Sequence, residues 1–321
     1  MALVDRIFSI QNEAEFEQAA LDVFKYQRDN CLVYQEYIDH LNWPDPKSLE
    51  EIPFLPIDFF KSQRIITAEF NEEIVFKSSG TGGTRSCHYV AKTELYEKSF
   101  HFNYQQSLGN PKEQVILALL PNYMEQGESS LIYMVDHLIS MSDNPLSGFV
   151  LNDLNEIKRR YDKAINLNIP VVIFGVSYAL LDLATLDFNF EKALIIETGG
   201  MKGKRKELTK SELHNELKSG LNCENISSEY GMTELLSQAY SKQKGLFKTT
   251  NLMKVLIRET DDPFSYTEQG KTGGINIIDL VNLYSCSFIA TQDLGKIHND
   301  GFEIMGRFDN SDIRGCNLLV E

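Results

Sequence analysis

The feature that most constrains the fold is the alternation of short apolar runs with amphipathic stretches beyond the first hundred residues. Val115–Leu120, Val171–Phe174 and Ala193–Ile196 are rich in β-branched residues and predict buried strands. Ser129–Ser142 has apolar residues at helical spacing, and Thr209–Leu217 begins with the Thr-x-x-Glu spacing of a helix cap. Strands that alternate with helices predict an α/β layered domain with a largely parallel sheet, whose ligands bind at the carboxyl ends of its strands.

The first hundred residues have a different pattern, which predicts a mostly helical N-terminal part. Ala14–Arg28 has apolar residues at helical spacing. The prolines of Trp43–Pro46 then interrupt the chain, because proline lacks the amide donor that a helix interior needs. The apolar stretch Ile52–Phe60, which contains Pro53 and Pro56, predicts a packed extended segment.

Composition excludes several classes of protein. The chain of 321 residues has 31 basic and 46 acidic side chains, and its net charge of −15 disfavours general binding to nucleic acid or anionic membranes. Its five cysteines include no Cys-x-x-Cys pair, which argues against a disulfide framework or zinc site and fits a reducing cytoplasm. The start of the chain lacks a signal-peptide pattern, and no apolar run approaches the roughly 18 residues of a membrane span. We therefore expect a cytoplasmic protein with no membrane span and no nucleic-acid partner.

A glycine-rich loop, FKSSGTGGTRS at residues 76–86, is the sharpest local signal. Its glycines let backbone amides turn inward without Cβ clashes, and its hydroxyls and arginine add donors, so that it can surround phosphate oxygens. The glycine spacing matches neither a Walker A loop nor the Rossmann fingerprint, and the alternative is a flexible surface loop. The candidate phosphate-binding residues are Ser78, Ser79, Gly80, Thr81, Gly82, Gly83, Thr84 and Arg85.

Three more motifs follow the loop: SEYGMTE at Ser228–Glu234, TQDLG at Thr291–Gly295 and GRFDNSDIRG at Gly306–Gly315. In this order, the four motifs resemble the core motifs of the adenylate-forming superfamily, which includes acyl-CoA synthetases, nonribosomal adenylation domains and firefly luciferase. The resemblance spans roughly residues 70 to 315. It is strongest to the short acyl-protein synthetases of the LuxE type, on the phrase FKSSGT, the Arg85-Ser86 pair and the RGCNLL ending, with phenylacetate-CoA ligases next.

The resemblance implies the α/β large N-terminal domain of adenylate-forming enzymes, with layered mixed and parallel sheets and flanking helices. Residues 1–305 would form this adenylation domain, with residues 1–70 as its helical N-terminal part. Residues 306–321 would form a hinge motif and a truncated C-terminal tail. Full-length members continue into a small lid domain that carries a catalytic lysine, whereas this sequence ends at Glu321, so the lid is expected to be missing or vestigial.

The implied reaction has two steps and uses ATP and Mg²⁺. A carboxylic acid, fatty or aryl, attacks the α-phosphorus of ATP, which releases pyrophosphate and leaves an acyl adenylate. A thiol then attacks the activated carbonyl. Catalysis of this kind depends on positioning and on electrostatic stabilisation of phosphoryl charge, so no Ser-His-Asp arrangement is needed.

Roles carry over from the resembling family to individual positions. Tyr230 would lie against the adenine face, Thr233 would bind the α-phosphate and Glu234 would hold Mg²⁺, which prefers carboxylate oxygens. Asp293 would accept hydrogen bonds from the ribose hydroxyls, and Arg307 would contact the ribose or the α-phosphate. The turn at 197–200 would flank the adenine. The remaining implied cofactor-binding residues are Gly199, Gly200 and Gly231.

The loop also departs from the family pattern. Gly82 stands where the family has the second of two paired hydroxyls, and Thr84-Arg85 replaces Pro-Lys. The loss of a hydroxyl puts phosphate affinity in question. Three explanations are open for the missing lid lysine. Arg85, Arg307 or Arg314 would supply its charge, adenylation would be slow, or the truncation would be a property of the short subfamily.

The resemblance also implies an acyl acceptor. In acyl-protein synthetases a cysteine near the C-terminus takes the acyl group and passes it to a reductase partner, and Cys316 matches that location. Arg314 beside it would lower the thiol pKa. The alternative for Cys316 is a buried small apolar residue. For Cys87 and His88, beside the loop, a structural role is favoured.

Three functions remain open at this point. The first is an acyl-protein synthetase that acts on a carboxylic acid and a reductase or carrier protein. The second is a phenylacetate-CoA-ligase-like enzyme that uses coenzyme A, and the third is a nucleotide-binding scaffold without catalysis. The acid pocket is expected between the Ser129–Ser142 helix, Phe174–Tyr178 and the strand end at Tyr230, where the alternative is plain core packing.

Overall fold

The N-terminal part of the chain is helical, as the sequence predicts. The structure, a computed structural model, describes residues 2–79, 84–120, 128–150, 153–199, 208–241 and 245–308. The side chain of Asn12 accepts a hydrogen bond from the amide of Glu15 and caps the longest of these helices. The helices are α1 Leu3–Ile7, α2 Glu13–Asn30 and α3 Leu32–Leu41.

The proline-containing segment after α3 joins the helices to the main sheet. The helix α3 ends at Leu41, and Asn42 adopts the left-handed conformation that often follows a helix. Leu55–Pro56 forms strand β1, which pairs in parallel with a late strand, Phe288–His298. The prediction of an extended segment over Ile52–Phe60 is therefore correct for β1, but the chain turns into helix α4 at Phe59–Ser62.

A small antiparallel hairpin carries the glycine-rich loop at its tip. Strands β2 Ile74–Lys77 and β3 Cys87–Val90 pair from Ile74 opposite Val90 to Lys77 opposite Cys87. Helix α5, Thr93–Leu108, follows directly, and its Tyr104 ring packs edge-on against Tyr240 of the main sheet. The stem of the loop is therefore fixed by strand pairing on both sides.

In the described ranges, the main sheet has twelve strands and two halves of different character. Strands β5, β4, β6, β7 and β8 form a parallel half, and the strands beyond β8 are antiparallel except for β1, which pairs in parallel with β13. Eleven strands follow the order β11-β12-β13-β14-β10-β9-β8-β7-β6-β4-β5, and β1 is the twelfth, beside β13 and outside this order. The strands are β4 Val115–Leu119, β5 Gly148–Phe149, β6 Val171–Val176, β7 Ala193–Thr198, β8 Ile226–Tyr230, β9 Ala239–Ser241, β10 Phe247–Lys248, β11 Met253–Arg258, β12 Gly273–Asp279, β13 Phe288–His298 and β14 Gly301–Arg307.

Helices cover the parallel half, which explains its apolar sequence. Every residue of β4 and β6 is buried, as expected for parallel strands covered on both faces. The predicted capping box forms between Thr209 and Glu212. The α/β architecture with a mixed sheet is confirmed, and the division at residue 305 stays a prediction. The covering helices are α6 Ser130–Ser142, α7 Leu154–Asn166, α8 Ser177–Ala184 and α9 Lys210–Leu221.

None of the helices in the described ranges has the length and apolar character needed to cross a membrane.

Candidate functional site

The last residues of strands β8 and β14 meet at Asp293, which lies in the middle of strand β13. The hydroxyl of Tyr230, at the end of β8, donates to Oδ2 of Asp293 at 2.8 Å. Nε of Arg307, at the end of β14, donates to Oδ1 of the same carboxylate at 2.8 Å. Asp293 and Arg307 are directly opposite each other on the antiparallel strands β13 and β14. The structure therefore brings three of the predicted nucleotide-binding residues into direct contact.

Burial differs sharply among these three residues. Asp293 is 5% exposed and Tyr230 is 8% exposed, whereas the side chain of Arg307 is 76% exposed. The Tyr230 ring packs edge-on against Phe247 and Phe302. Burial, and then the Asp293 carboxylate, raise the pKa of the Tyr230 hydroxyl, which therefore stays protonated and donates. Arg307 is thus an exposed cation held by a buried anion.

The stem of the glycine loop reaches the same region through Glu234. The amide of Ser86 donates to Oγ of Ser78 at 3.0 Å, and the amide of Ser78 donates to the carbonyl of Ser86 at 3.0 Å. The Ser86 side chain in turn hydrogen-bonds the buried Glu234 carboxyl. Burial raises the pKa of Glu234, while the Ser86 hydrogen bond and the charge of Arg307 act against this rise. The loop stem, Glu234 and Arg307 therefore lie at one end of the sheet.

Buried side chains hold the backbone of the Thr233-Glu234 segment in place. Nδ1 of His88 lies 2.9 Å from the carbonyl oxygen of Thr233, and Nε2 lies 2.9 Å from Oδ1 of Asn282. Nδ2 of Asn282 donates to the carbonyl of Glu234 at 2.8 Å. Burial lowers the pKa of His88 to about 4, and the residue is fully buried. These contacts give His88 a structural position behind the motif.

A second anchor follows immediately along the chain. The Asp279 carboxylate accepts from the amides of Leu236 and Ser237 at 2.7 and 2.9 Å, and from the Ser237 hydroxyl at 2.7 Å. Since Asp279 ends strand β12, the segment after Glu234 is tied to the antiparallel half of the sheet. The motif residues that carry the predicted roles therefore sit on a rigid base.

Arg85, a predicted phosphate ligand, closes the stem of the loop. Its guanidinium contacts Oε2 of Glu128 at 3.3 Å and donates to the carbonyls of Ser78 and Lys77. Nζ of Lys77 pairs with the other oxygen of Glu128 at 2.5 Å. A phosphate would therefore compete with Glu128 for Arg85.

The remaining predicted residues fall into two groups. Ser79 and Thr84 are exposed at the two sides of the loop tip, and the carbonyl of Gly199 accepts from the Ser177 hydroxyl at 3.2 Å. Gly231 lies against Glu229, since a Cβ on Gly231 would be 2.5 Å from Oε1 of that side chain. Seven residues with predicted roles lie outside the described ranges, and their roles stay predictions: Gly80, Thr81, Gly82, Gly83, Gly200, Arg314 and Cys316.

The sequence analysis missed a charged cluster around Glu197. This carboxylate is fully buried, and its Oε1 accepts from Nζ of Lys210 at 2.5 Å and from the Ser228 hydroxyl at 2.5 Å. Nε2 of His214 lies 3.4 Å from the same oxygen, and the Ser177 hydroxyl donates to Oε2 at 3.2 Å. Burial acts to raise the pKa of Glu197, but the Lys210 charge and the hydrogen bonds outweigh it and lower the pKa to about 2. The available signal was a glutamate at the end of an apolar strand, because a buried charge requires partners.

A second buried glutamate, Glu229, was also missed. It precedes Tyr230 on β8, is buried, and accepts a hydrogen bond from the Thr198 hydroxyl. Burial raises the pKa of Glu229 to about 7, against the effect of this hydrogen bond. Nothing local in the sequence SEYGMTE distinguishes this position from an exposed one.

Within the ranges that the structure describes, no group of three or more His, Cys, Asp or Glu side chains forms a metal site. Glu234 is the predicted Mg²⁺ ligand and provides one buried carboxylate. This arrangement fits an ion that is held by one or two carboxylates together with substrate phosphates.

Comparison with solved structures shows the same fold in adenylate-forming ligases. A 2-hydroxyisobutyryl-CoA ligase, solved with 2-HIB-AMP and CoA, superposes with a TM-score of 0.64 and 12% identity, covering 92% of this chain and 71% of that one. ATP-bound MatB from Rhodopseudomonas palustris gives a TM-score of 0.56 and 16% identity, covering 73% of this chain and 47% of that one. At these identities the likeness shows the fold alone.

Comparison with curated proteins gives a shorter match. A long-chain-fatty-acid–luciferin-component ligase from Photorhabdus luminescens is 33% identical over 72 residues, which are 22% of this chain and 62% of that protein. The chain therefore matches less than two thirds of the length of this relative. The sequence profile of the acyl-protein synthetase family LuxE matches residues 7–321, nearly the whole chain. The chain belongs to the LuxE acyl-protein synthetase family.

Proposed function

We propose that this protein uses ATP to activate a carboxylic acid, fatty or aryl, as an acyl adenylate and transfers the acyl group to a thiol on the enzyme or on a carrier or reductase protein. Membership of the LuxE family supports acid activation. The observation that carries the proposal is the contact of Tyr230, Asp293 and Arg307 beside Glu234 and the loop stem. These groups have the chemistry that a nucleotide with its phosphates requires.

In the first step, a carboxylate oxygen of the acid bonds to the α-phosphorus of ATP, and the bond from that phosphorus to the pyrophosphate oxygen breaks. Negative charge spreads over the phosphoryl oxygens in the transition state. The exposed guanidinium of Arg307 can reach these oxygens, because Asp293 fixes Nε and leaves its other donors available. Asp293 thus orients Arg307 and offers its own oxygens to ribose hydroxyls.

Glu234 would hold Mg²⁺ together with phosphate oxygens. The metal supplies charge neutralisation of the phosphates when it is bound. Burial raises the pKa of Glu234, and a bound cation would favour its ionised form. His88 and Asn282 hold the neighbouring backbone, so the carboxyl keeps its position before the nucleotide binds.

In the second step, a thiolate sulfur bonds to the carbonyl carbon of the acyl adenylate, and AMP leaves with the bonding electron pair. The acceptor proposed on this chain is Cys316. Among the described cysteines, Cys31, Cys223 and Cys286 are buried, and burial raises the pKa of each thiol. Cys87, at the base of the loop, is the remaining described cysteine and is partly exposed. It is the second candidate.

The test of acid activation is ATP–pyrophosphate exchange over a panel of fatty and aromatic acids. Arg307→Ala should lower kcat/KM by about a hundredfold or more, because a charge directed at the reacting phosphate is lost. The matched control is Arg159→Ala, an exposed arginine of α7 that pairs with Asp153 and Glu156, and it should stay within about twofold of the wild type. Absence of exchange with every acid would leave a nucleotide-binding protein without this activity.

The test of the acceptor uses radiolabelled acid and ATP. Hydroxylamine-labile label should appear on the protein and disappear in Cys316→Ser, while Cys87→Ser keeps it. Label that survives in Cys316→Ser but is lost in Cys87→Ser moves the acceptor to the loop stem. Formation of an acyl-CoA on addition of coenzyme A, with no labelled protein, would favour the ligase that uses coenzyme A.

A further inference from the structure

Strand β8 separates two environments. Ser228 and Tyr230 project from one face, towards Glu197 and Asp293 respectively, and Glu229 projects from the other. Glu229 is directly opposite Tyr240 on the antiparallel neighbour β9, so these two side chains share a face of the sheet. Glu229 therefore lies at the same end of β8 as the predicted nucleotide-binding side chains, but on the opposite face of the sheet.

The Glu229 carboxyl lies over Gly231 with Gln238 beside it. A Cβ on Gly231 would be 2.5 Å from Oε1 of Glu229 and 3.4 Å from Cγ of Gln238. Gly231 is partly exposed, which places Oε1 towards the open end of the strand. The absence of a side chain on Gly231 therefore leaves room for the Glu229 carboxyl at this end.

These polar groups are not satisfied by the described part of the chain. Oε1 of Gln238 and the hydroxyl of Tyr240 are buried and have no hydrogen-bond partner there. Thr198 is the one described donor to Glu229, and its bond goes to Oε2. Since buried polar groups are nearly always hydrogen-bonded, a cluster of three incompletely paired groups at a strand end points to a ligand that completes them.

The cluster adjoins the place where the acid pocket is expected. The Tyr96 ring of α5 lies close enough that the Glu229 carboxyl, after burial, raises the pKa of its hydroxyl. That hydroxyl donates to the carbonyl of Ser130, the first residue of α6, at 2.9 Å. Glu229 is therefore near a side chain that hydrogen-bonds the first residue of α6, the helix that was expected to form one wall of the pocket.

We propose that Glu229, Gln238 and Tyr240 form a polar wall of the acid pocket, so that the acid carries a hydrogen-bond donor, a hydroxyl or an amine, on its chain or ring. This inference rests on the proposed function. The amide oxygen of Gln238 and the ionised carboxylate of Glu229 accept hydrogen bonds, and the Tyr240 hydroxyl can accept or donate. A plain hydrocarbon chain would leave Gln238 and Tyr240 unpaired and Glu229 with the Thr198 bond alone, and a site built to hydrogen-bond its substrate discriminates strongly against an analogue that lacks the group.

The test compares matched acids in the exchange assay. Hexanoate is paired with 3-hydroxyhexanoate and 3-aminohexanoate, and benzoate with 3-hydroxybenzoate and 3-aminobenzoate. The wild type should use the best donor-bearing acid of a set at least about a hundredfold better in kcat/KM than its plain partner. Comparison of the hydroxyl-bearing acid with the amine-bearing acid in each set shows which donor the enzyme prefers.

Substitutions of Glu229, Gln238 and Tyr240 test whether the preference for donor-bearing acids depends on these side chains. Glu229→Leu should reduce the preference to within about fivefold, and Tyr240→Phe, which keeps the ring, should reduce it about tenfold by removing one partner. Glu224→Leu, a matched change at an exposed glutamate before β8, should keep the full preference. Should Glu229→Leu fail to fold, Gln238→Met and Tyr240→Phe carry the test.

The outcomes separate the inference from the function on which it rests. Equal use of plain and donor-bearing acids by the wild type overturns the inference and leaves acid activation standing. A preference that persists unchanged in the Glu229, Gln238 and Tyr240 variants overturns it as well. Failure of exchange with every acid overturns both proposals together.

Discussion

Glu197 and Glu229 are two buried carboxyls on neighbouring parallel strands, and they differ in their partners. Glu197 lies opposite Ser228 in the β7–β8 register, so Glu229 adjoins Thr198 one residue further along. Glu197 has hydrogen bonds from two hydroxyls and contacts with a lysine and a histidine, whereas the described part of the chain gives Glu229 one hydroxyl. Their pKa values are about 2 and about 7. Both carboxyls are buried, and the number and charge of their partners decide that the charge of Glu197 is stable while that of Glu229 is unfavourable.

The two carboxyls act on stability in opposite pH ranges. Glu197 has a lowered pKa, so its contribution is present above the unfolded value of 4.5 and is lost as the pH falls towards 2. Glu229 has a raised pKa, so its contribution is fully present below 4.5 and is lost as the pH rises through 7. Thr198, Tyr96 and Tyr240 lie on the side of Glu229, and the charges of Glu197 and Lys210 act on its pKa from the other face of the sheet.

The largest expected effect is the loss of stability when Glu197 loses the lysine that pairs with it. Lys210→Met should lower the free energy of unfolding by about 3 kcal/mol at pH 7, because it leaves a fully buried carboxylate without its cation. Urea unfolding measures the loss. The control is Lys218→Met, whose pair with the exposed Glu224 should contribute less than about 0.5 kcal/mol. Similar stability of the two variants would contradict the assignment of Lys210 as the essential partner.

The next largest effect is a gain in stability, which we expect when Glu229 loses its charge. Glu229→Gln should raise the free energy of unfolding by about 2 kcal/mol at pH 8, where the wild-type carboxyl is ionised and buried, and leave it nearly unchanged at pH 4.5. Urea unfolding across this pH range gives the difference curve.

The same isosteric change at Glu197 provides the contrast. Glu197→Gln should destabilise the protein at pH 8, since the pair with Lys210 is removed while the lysine remains. If both glutamine variants shift stability in the same direction at pH 8, the two environments do not differ as described.

A third effect concerns the single donor to Glu229. Thr198→Val keeps the side-chain shape and removes the hydroxyl, so it should lower the free energy of unfolding by about 1.5 kcal/mol at pH 8. In the Glu229→Gln background the loss should fall to about half, because the acceptor is no longer charged. A double-mutant cycle measured by urea unfolding gives the coupling, and strict additivity would show that Thr198 does not stabilise the Glu229 carboxylate.

The sequence predicted the parallel half of the sheet more completely than the antiparallel half. Strands β4, β6 and β7 are covered on both faces, so their apolar runs are continuous and readily recognised. Strand β13 extends to His298, but its residues from Gln292 to Lys296 alternate between buried and partly exposed positions. The apolar run that predicts a strand therefore covers only its beginning, Phe288–Thr291.

The candidate site was predicted as motifs but not as a network. The order of the motifs identified Tyr230, Asp293 and Arg307, and their contacts form where the ends of β8 and β14 reach the middle of β13. Lys210 and Ser177 come from two helices that no local pattern links to Glu197. Their partnership depends on how the helices pack on the sheet, which the spacing of residues along the chain does not encode.

The smallest expected effect is the loss of stability when Glu197 loses one of its several donors, the Ser177 hydroxyl. Ser177→Ala should lower the free energy of unfolding by about 0.5 kcal/mol, less than the loss in Thr198→Val, because Glu197 keeps Lys210, Ser228 and His214. The Ser177 hydroxyl also donates to the carbonyl of Gly199, so the variant should in addition weaken ATP binding if this turn flanks the adenine. Parallel measurements of urea unfolding and of the KM for ATP separate the two effects. If Ser177→Ala lowered the free energy of unfolding as much as Thr198→Val does, Glu197 would depend on each of its donors as strongly as Glu229 depends on Thr198. The number of partners would then not distinguish the two carboxyls.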